Sequence, residues 1–153
     1  MKKIFLILTL FLFSYKNAYA LITVDITRGN LDPLPIAVSP LHVDPKSEKI
    51  SDFETKELGA EISKIVEKNF KSTGLFNPLK KDAFVQKPDI AHLKPRFEDW
   101  RLIKAQALVT GKLLIKDKKL KVEFRLWDLT AAKEMVALSF TTTPNNWRRV
   151  AHI

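Results

Sequence analysis

The sequence contains no cysteine, which removes disulfides, thiol nucleophiles, thiolate metal ligands and any lipid anchor built on a cysteine. Only four glycines occur in 153 residues, and they are isolated, so no glycine-rich loop is available to cradle a phosphate. Neither H-E-x-x-H nor G-x-S-x-G is present, which leaves zincin and α/β-hydrolase chemistry without sequence support. No apolar run approaches the ~20 residues a helix needs to cross a bilayer. The three histidines, His42, His92 and His152, lie far apart in the sequence and read as scattered surface residues rather than metal ligands. No catalytic residue, cofactor site or metal site is therefore expected.

What is present begins with a leader. Lys2 and Lys3 supply a positive start, Ile4 to Phe13 form an apolar stretch interrupted only by Thr9, and Ala18-Tyr19-Ala20 gives the small-x-small pattern a signal peptidase accepts. The expectation is a signal peptide over residues 1–20, cleavage between Ala20 and Leu21, and a mature chain over residues 21–153. Those 133 residues suit one domain with its own core. The formal charge of +9 falls to +6 once Lys2, Lys3 and Lys16 are gone. A basic surface attracts nucleic acid, anionic lipid or acidic partners, but export argues against nucleic acid. The one dense group, Lys116, Lys118, Lys119 and Lys121, reads as a solvated hairpin tip.

Along the mature chain the hydrophobic period switches between two and 3.6. Ile22, Val24 and Ile26 alternate with Thr23, Asp25 and Thr27, the pattern of a half-buried strand. Ile36 to Ser39 reads as an interior strand ending at Pro40. Ser51 and Glu54 have capping-box spacing, and Leu58, Ile62, Ile65, Val66 and Phe70 then form one apolar helical stripe ending before Gly74. Leu75 to Leu79 returns as an edge strand, and Lys80 to Arg96 reads as a loop. Phe97 to Lys104 suits a short helix with Glu98 and Asp99 as its N-terminal acids. Ala107 to Ile115 and Leu120 to Asp128 form a hairpin, and Glu134 to Thr142 adds a strand. Asn145 and Asn146 are N-cap candidates for a helix over Trp147 to Ile153. About two turns are too few for a stable helix alone, so the expectation is truncation within the last helix of the domain. Trp100, Trp127 and Trp147 are assigned to core or interface packing.

Three stretches together resemble the N-terminal domain of the TolB family. They are Ser72-Thr73-Gly74-Leu75-Phe76-Asn77-Pro78-Leu79, then Phe97-Glu98-Asp99-Trp100-Arg101 with Ala105-Gln106-Ala107-Leu108-Val109-Thr110-Gly111, and Asn146-Trp147-Arg148-Arg149-Val150-Ala151-His152-Ile153. Pro35-Ile36-Ala37-Val38 extends the likeness to the early strand. The resemblance implies an α/β fold similar to anticodon-binding domains, a mixed sheet of about five strands with helices packed on its faces. It implies a non-catalytic role in the periplasmic Tol-Pal system, which supports outer-membrane integrity, cell division and bacteriocin import. It also places a TolA-binding segment at Leu21 to Asp32, with Leu21, Ile22, Thr23, Val24, Asp25, Ile26, Thr27 and Arg28 as the contact residues. The family continues into a β-propeller that carries most contact with Pal. This sequence has no counterpart of the propeller, so Pal binding is not expected of it. Two alternatives stand beside this reading: a truncated remnant or generic periplasmic adaptor that does not bind TolA, and a basic nucleic-acid-binding module, which would require retention in the cytoplasm.

Overall fold

A computed structural model describes residues 32–49 and 55–152. Strand β1 (Leu34–Val38) pairs in parallel with β3 (Phe76–Pro78) on one side and β4 (Ala107–Lys116) on the other. Two-residue β2 (His42–Val43) also runs parallel to β4, beyond the end of β1. β4, β5 (Lys119–Asp128) and β6 (Lys133–Thr142) form an antiparallel meander, giving the order β3-β1-β4-β5-β6. The mixed α/β sheet expected from the sequence is present, with six strands rather than about five because of the short β2.

Burial follows the pairing. β1 lies between two parallel neighbours and is covered on both faces, so Ile36, Ala37 and Val38 are all buried and read as a continuous apolar run. Ile36 and Val38 point to the face that carries Val66 and Phe70, while Ala37 points to the face that carries Trp100. The strand begins earlier than expected: Pro35 belongs to it, at a position near the start where a missing N–H is tolerated. Pro78 likewise sits in edge strand β3.

Helix α1 (Thr55–Ser72) packs on the first face. Leu58 and Ile62 are fully buried, Ile65, Val66 and Phe70 are half-buried, and Lys64 is exposed, as the stripe requires. The expected capping box at Ser51 and Glu54 lies outside the described residues. α1 approaches the chain after β1 so closely at Gly59 that a Cβ there would collide with the Leu41 carbonyl oxygen. The adjacent Ser63 hydroxyl accepts from the Leu41 N–H at 3.0 Å and sits 3.0 and 2.9 Å from the Ser39 and Gly59 carbonyls, donating to one at a time. A serine on the buried face of a helix is thereby satisfied.

The opposite face carries α2 (Pro88–Ala91) and α3 (Phe97–Leu102). The stretch expected to be a loop therefore contains α2 and a 3₁₀ turn at Lys81–Ala83. Pro88 at the first helical position with Asp89 beside it suffices for a single turn, and one turn is too short to leave a periodic trace. α3 ends two residues before the expected Lys104, which adopts a left-handed conformation with φ 61°. Trp100 anchors this layer. Its indole N–H donates to Gln86 Oε1 at 2.7 Å, and the Arg96 N–H donates to the same oxygen at 3.0 Å.

The β4–β5 hairpin turns through Asp117 and Lys118, both at positive φ, as a two-residue turn requires. Leu120 and Val122 are buried on the α1 face. Trp127 lies on the other face, packs edge-on against Phe97 and donates to the Thr110 hydroxyl at 2.8 Å. Helix α4 (Trp147–Ala151) closes the described chain, with Trp147, Val150 and Ala151 buried against α1. Asn146 occupies its N-cap position without making a side-chain cap bond; a 3₁₀ turn at Pro144–Asn146 leads in instead. Asn69 of α1 donates to the Ala151 carbonyl at 2.9 Å, tying the two helices together.

Candidate functional site

The cleavage pair Ala20 and Leu21, and the segment Leu21 to Arg28, lie outside the described residues. What the structure describes is the platform that follows. Asp32 and Pro33 are exposed, and Leu34 enters β1 with its N–H donating to the Leu75 carbonyl at 2.9 Å. This start of β1 lies at the sheet end that also holds the start of β4 and the β5–β6 turn, because Ile36 pairs with Ala107, Ala107 with Asp128 and Asp128 with Lys133.

Two surfaces on the platform stand out. On the α1 face, the described helices leave part of the sheet uncovered. A cleft of about 180 Å³ opens between α1, α4 and the outer strands, floored by Phe124, Leu126, Leu138 and Phe140 and flanked by Val66 and Phe70. Val136 and Leu138 beside it are 43% and 47% exposed. On the α2 face, His42 and His92 stack ring on ring, with centroids 4.1 Å apart and planes 5° from parallel. His42 lies in β2, and the two histidines read as scattered in the sequence meet in the fold. Burial first, and the His92 ring second, hold His42 below the ordinary histidine value of 6.5, with Lys112 acting the same way and Asp89 and Asp44 opposing. His92 also places Nδ1 3.0 Å from the Pro88 carbonyl. His152 is elsewhere, its ring nitrogen 3.4 Å from the Asn69 amide nitrogen.

The remaining polar candidates have structural partners. Asp99 pairs with Arg96 at 2.7 Å and Glu98 with Arg101 at 2.7 Å, at the start of α3 as expected. All three tryptophans are buried, so they form no exposed ligand platform. Glu123 bridges Lys121 at 2.8 Å and Lys112 at 3.5 Å. The hydrogen bond from Lys121 is the main reason its carboxyl is held below the usual 4.5. Among the described residues, no three His, Asp or Glu side chains converge as metal ligands, and no helix is long and apolar enough to cross a membrane. Sequence reasoning missed Gln86 and the histidine pair. Pro88 after Lys87 was the available signal for the turn that carries His92.

Residues 22–135 match the sequence profile of the TolB amino-terminal domain. The Tol-Pal system protein TolB of Pelagibacter ubique (strain HTCC1062) is 65% identical over 139 residues, which cover 90% of this chain and 31% of that protein. The chain thus spans about a third of the length of this curated relative. Among solved structures, TolB from Acinetobacter baumannii superposes with a TM-score of 0.59 at 16% identity, covering 78% of this chain and 26% of that one. The LpoB C-terminal domain from Escherichia coli shares the fold with a TM-score of 0.52 at 9% identity, covering 72% of this chain and 82% of its own. The order β3-β1-β4-β5-β6, with α1 and α4 on one face, thus comes with a profile match over most of the sequence, and the chain belongs to the TolB amino-terminal domain family.

Proposed function

We propose that this chain is a periplasmic, non-catalytic protein-binding domain of the Tol-Pal system, and that it recruits TolA through residues Leu21 to Asp32. The observation that carries the reading is the alternation of Ile22, Val24 and Ile26 with Thr23, Asp25 and Thr27 next to the expected mature terminus, a short stretch ahead of the first described strand. A segment with that period adds to the edge of a partner sheet: main-chain hydrogen bonds supply much of the affinity, and alternate side chains supply the specificity. Ile22, Val24 and Ile26 are the side chains that enter the partner's pockets, while Thr23, Asp25 and Thr27 face away. The leader pattern at residues 1–20 supports delivery to the periplasm. Family membership supports a place in envelope maintenance, division and bacteriocin import.

The mode of binding is tested by alternation. Serine at Ile22, Val24 or Ile26 weakens capture of the TolA C-terminal domain, whereas serine at Thr23 or Thr27 leaves it within error. Val24→Pro removes a ladder donor and weakens it further. Equal losses on both faces of the segment would refute strand addition and favour an adaptor that contacts its partner elsewhere.

A further inference from the structure

Residues 87–94 form a strap over β2 and β4, pinned at its base and lightly held in its middle. At the base Gln86 is buried, and its Oε1 accepts from the Arg96 N–H at 3.0 Å and the Trp100 indole N–H at 2.7 Å, so the chain leaves and returns at one fixed point. Pro95 and Phe97 are buried just beyond it. Between these anchors α2 is a single turn, too short to persist without tertiary support. Ala91 is its buried residue, while Ile90 and Leu93 are 49% and 70% exposed. A methyl group gives a small grip. The larger contact is the ring pair, in which His92, at the C-terminal end of the turn, lies flat on His42 of β2.

Each ring is positioned by its own support. His42 is fixed by the pairing of β2 with Lys112 of β4. His92 Nδ1 lies 3.0 Å from the Pro88 carbonyl, which can only accept, so Nδ1 carries a hydrogen and Nε2 is the nitrogen left to take a proton. A metal ion held by an imidazole lies in the ring plane, and planes 5° from parallel do not meet at one ion, so the pair is a stack and not a chelate. What the stack does depends on its charge. Two neutral rings attract face to face, and so do one cationic and one neutral ring. Two cations at a centroid distance of 4.1 Å repel. The surroundings do not cancel that repulsion. Asp89 of α2 and Asp44 after β2 favour the cationic form of His42, whereas Lys112 opposes it and Lys87 lines the same groove. Lys112, Glu123 and Arg125 line the hollow beside His92, and Glu123 is already paired with Lys112 and Lys121. Burial and the neighbouring ring together hold His42 below the ordinary 6.5. The pair accommodates one proton and resists a second.

We propose that the His42–His92 stack is a pH-sensitive latch: with at most one ring protonated it holds the strap against β2 and β4, and with both protonated the strap lifts while the rest of the domain stays folded. The pinned base at Gln86 confines the opening to residues 87–94, a local unit and not the whole fold. Lifting uncovers the parts of β2 and β4 beneath the strap, so this face of the domain has two forms selected by ambient pH.

The test is residue-resolved amide hydrogen exchange of the full chain at about pH 7.5 and about pH 5, either side of the ordinary histidine range, with each rate corrected for its intrinsic pH dependence. The reporters are the amides of Ile90, Ala91, His92 and Leu93, whose N–H groups bond to carbonyls within the strap. In wild type their protection falls on the order of tenfold at the lower pH, because an opening that takes up one proton grows by up to about tenfold per pH unit. Amides of β1 and β4 stay protected. His92→Phe keeps a flat ring against His42 but cannot take the second proton, so its strap stays protected at both pH values. His92→Ala removes the ring, and its strap is open at both. Circular dichroism checks that each variant is folded. Equal wild-type protection at the two pH values overturns the proposal, as does loss of protection that spreads to β1 and β4. A phenylalanine variant that opens on acidification like wild type also overturns it, because another group would then be the trigger. So does an alanine variant that stays protected, because the ring contact would then not be what holds the strap.

Discussion

Gly59→Ala sets two effects against each other, and the structure decides the sign. Gly59 lies within α1, where helix propensity alone favours alanine by about 0.8–1.0 kcal/mol. The added methyl, however, would collide with the Leu41 carbonyl oxygen and come within 3.1 Å of the carbonyl carbon. Both are backbone atoms and cannot rotate away. Leu41 is buried, and its N–H is shared between the Gly59 carbonyl at 3.2 Å and the Ser63 hydroxyl at 3.0 Å. Admitting the methyl moves α1 off this segment, at about 1–3 kcal/mol for overpacking and about 0.5–1.5 kcal/mol for weakened hydrogen bonding. The propensity gain offsets only part of that, so the variant loses about 1–3 kcal/mol net. With a urea m-value of about 1–3 kcal/mol/M, the midpoint falls by about 1 M. Ala60→Gly is the control: the neighbour is exposed, and only propensity acts, with a loss of about 1 kcal/mol. A Gly59→Ala midpoint above wild type would refute the close approach of α1 to Leu41.

The other perturbations test the core and the histidine pair. Ile62→Ala, at a fully buried site, costs about 2–5 kcal/mol, and Lys64→Ala on the exposed side costs less than about 0.5 kcal/mol. Phe70, half-buried and edge-on to Phe76 at 4.8 Å, falls between them, below the ~3–5 kcal/mol of a fully buried phenylalanine. Equal midpoints for Ile62→Ala and Lys64→Ala would place the helix in the wrong register. His42 is held below 6.5 in the folded chain, so between that value and its lower folded one the unfolded chain binds more protons, and stability falls on acidification. Urea midpoints between about pH 7.5 and 5.5 decline more steeply for wild type than for His42→Gln; parallel slopes would contradict the effect of the stacked pair. Glu123 stays out of that window: its carboxyl is held below 4.5, so its contribution is lost only at lower pH.

Long periodic elements were readable before any coordinates. The stripe Leu58, Ile62, Ile65, Val66 and Phe70 named the buried side of α1, and the alternation from Leu120 to Leu126 named the apolar side of β5. Trp127 shows the limit of alternation. It shares a face with Lys121, Glu123 and Arg125, yet it is buried, because α3 covers that end of the sheet and supplies Phe97. Short elements left little trace: α2 is a single turn and β2 is two residues, so neither is long enough to repeat a hydrophobic period. The stacking of His42 on His92 was invisible for a different reason. It depends on β2 pairing with β4 and on α2 folding over them, and no local pattern encodes that meeting. Ser63 and Gly59 are similar, since a serine and a glycine on an apolar helix face look like weak positions until Leu41 arrives against them. The partner-binding segment rests on its alternation and on the family to which the chain belongs.

The most direct test of the account is a titration of labelled TolA C-terminal domain against the mature chain and against a variant lacking Leu21 to Asp32, with circular dichroism and urea melts as folding controls. Because β1 begins at Leu34, the deletion leaves every described strand and helix in place. The account predicts saturable binding by the mature chain and none by the folded deletion variant. Undiminished binding by that variant would contradict it and move the partner site onto the domain itself.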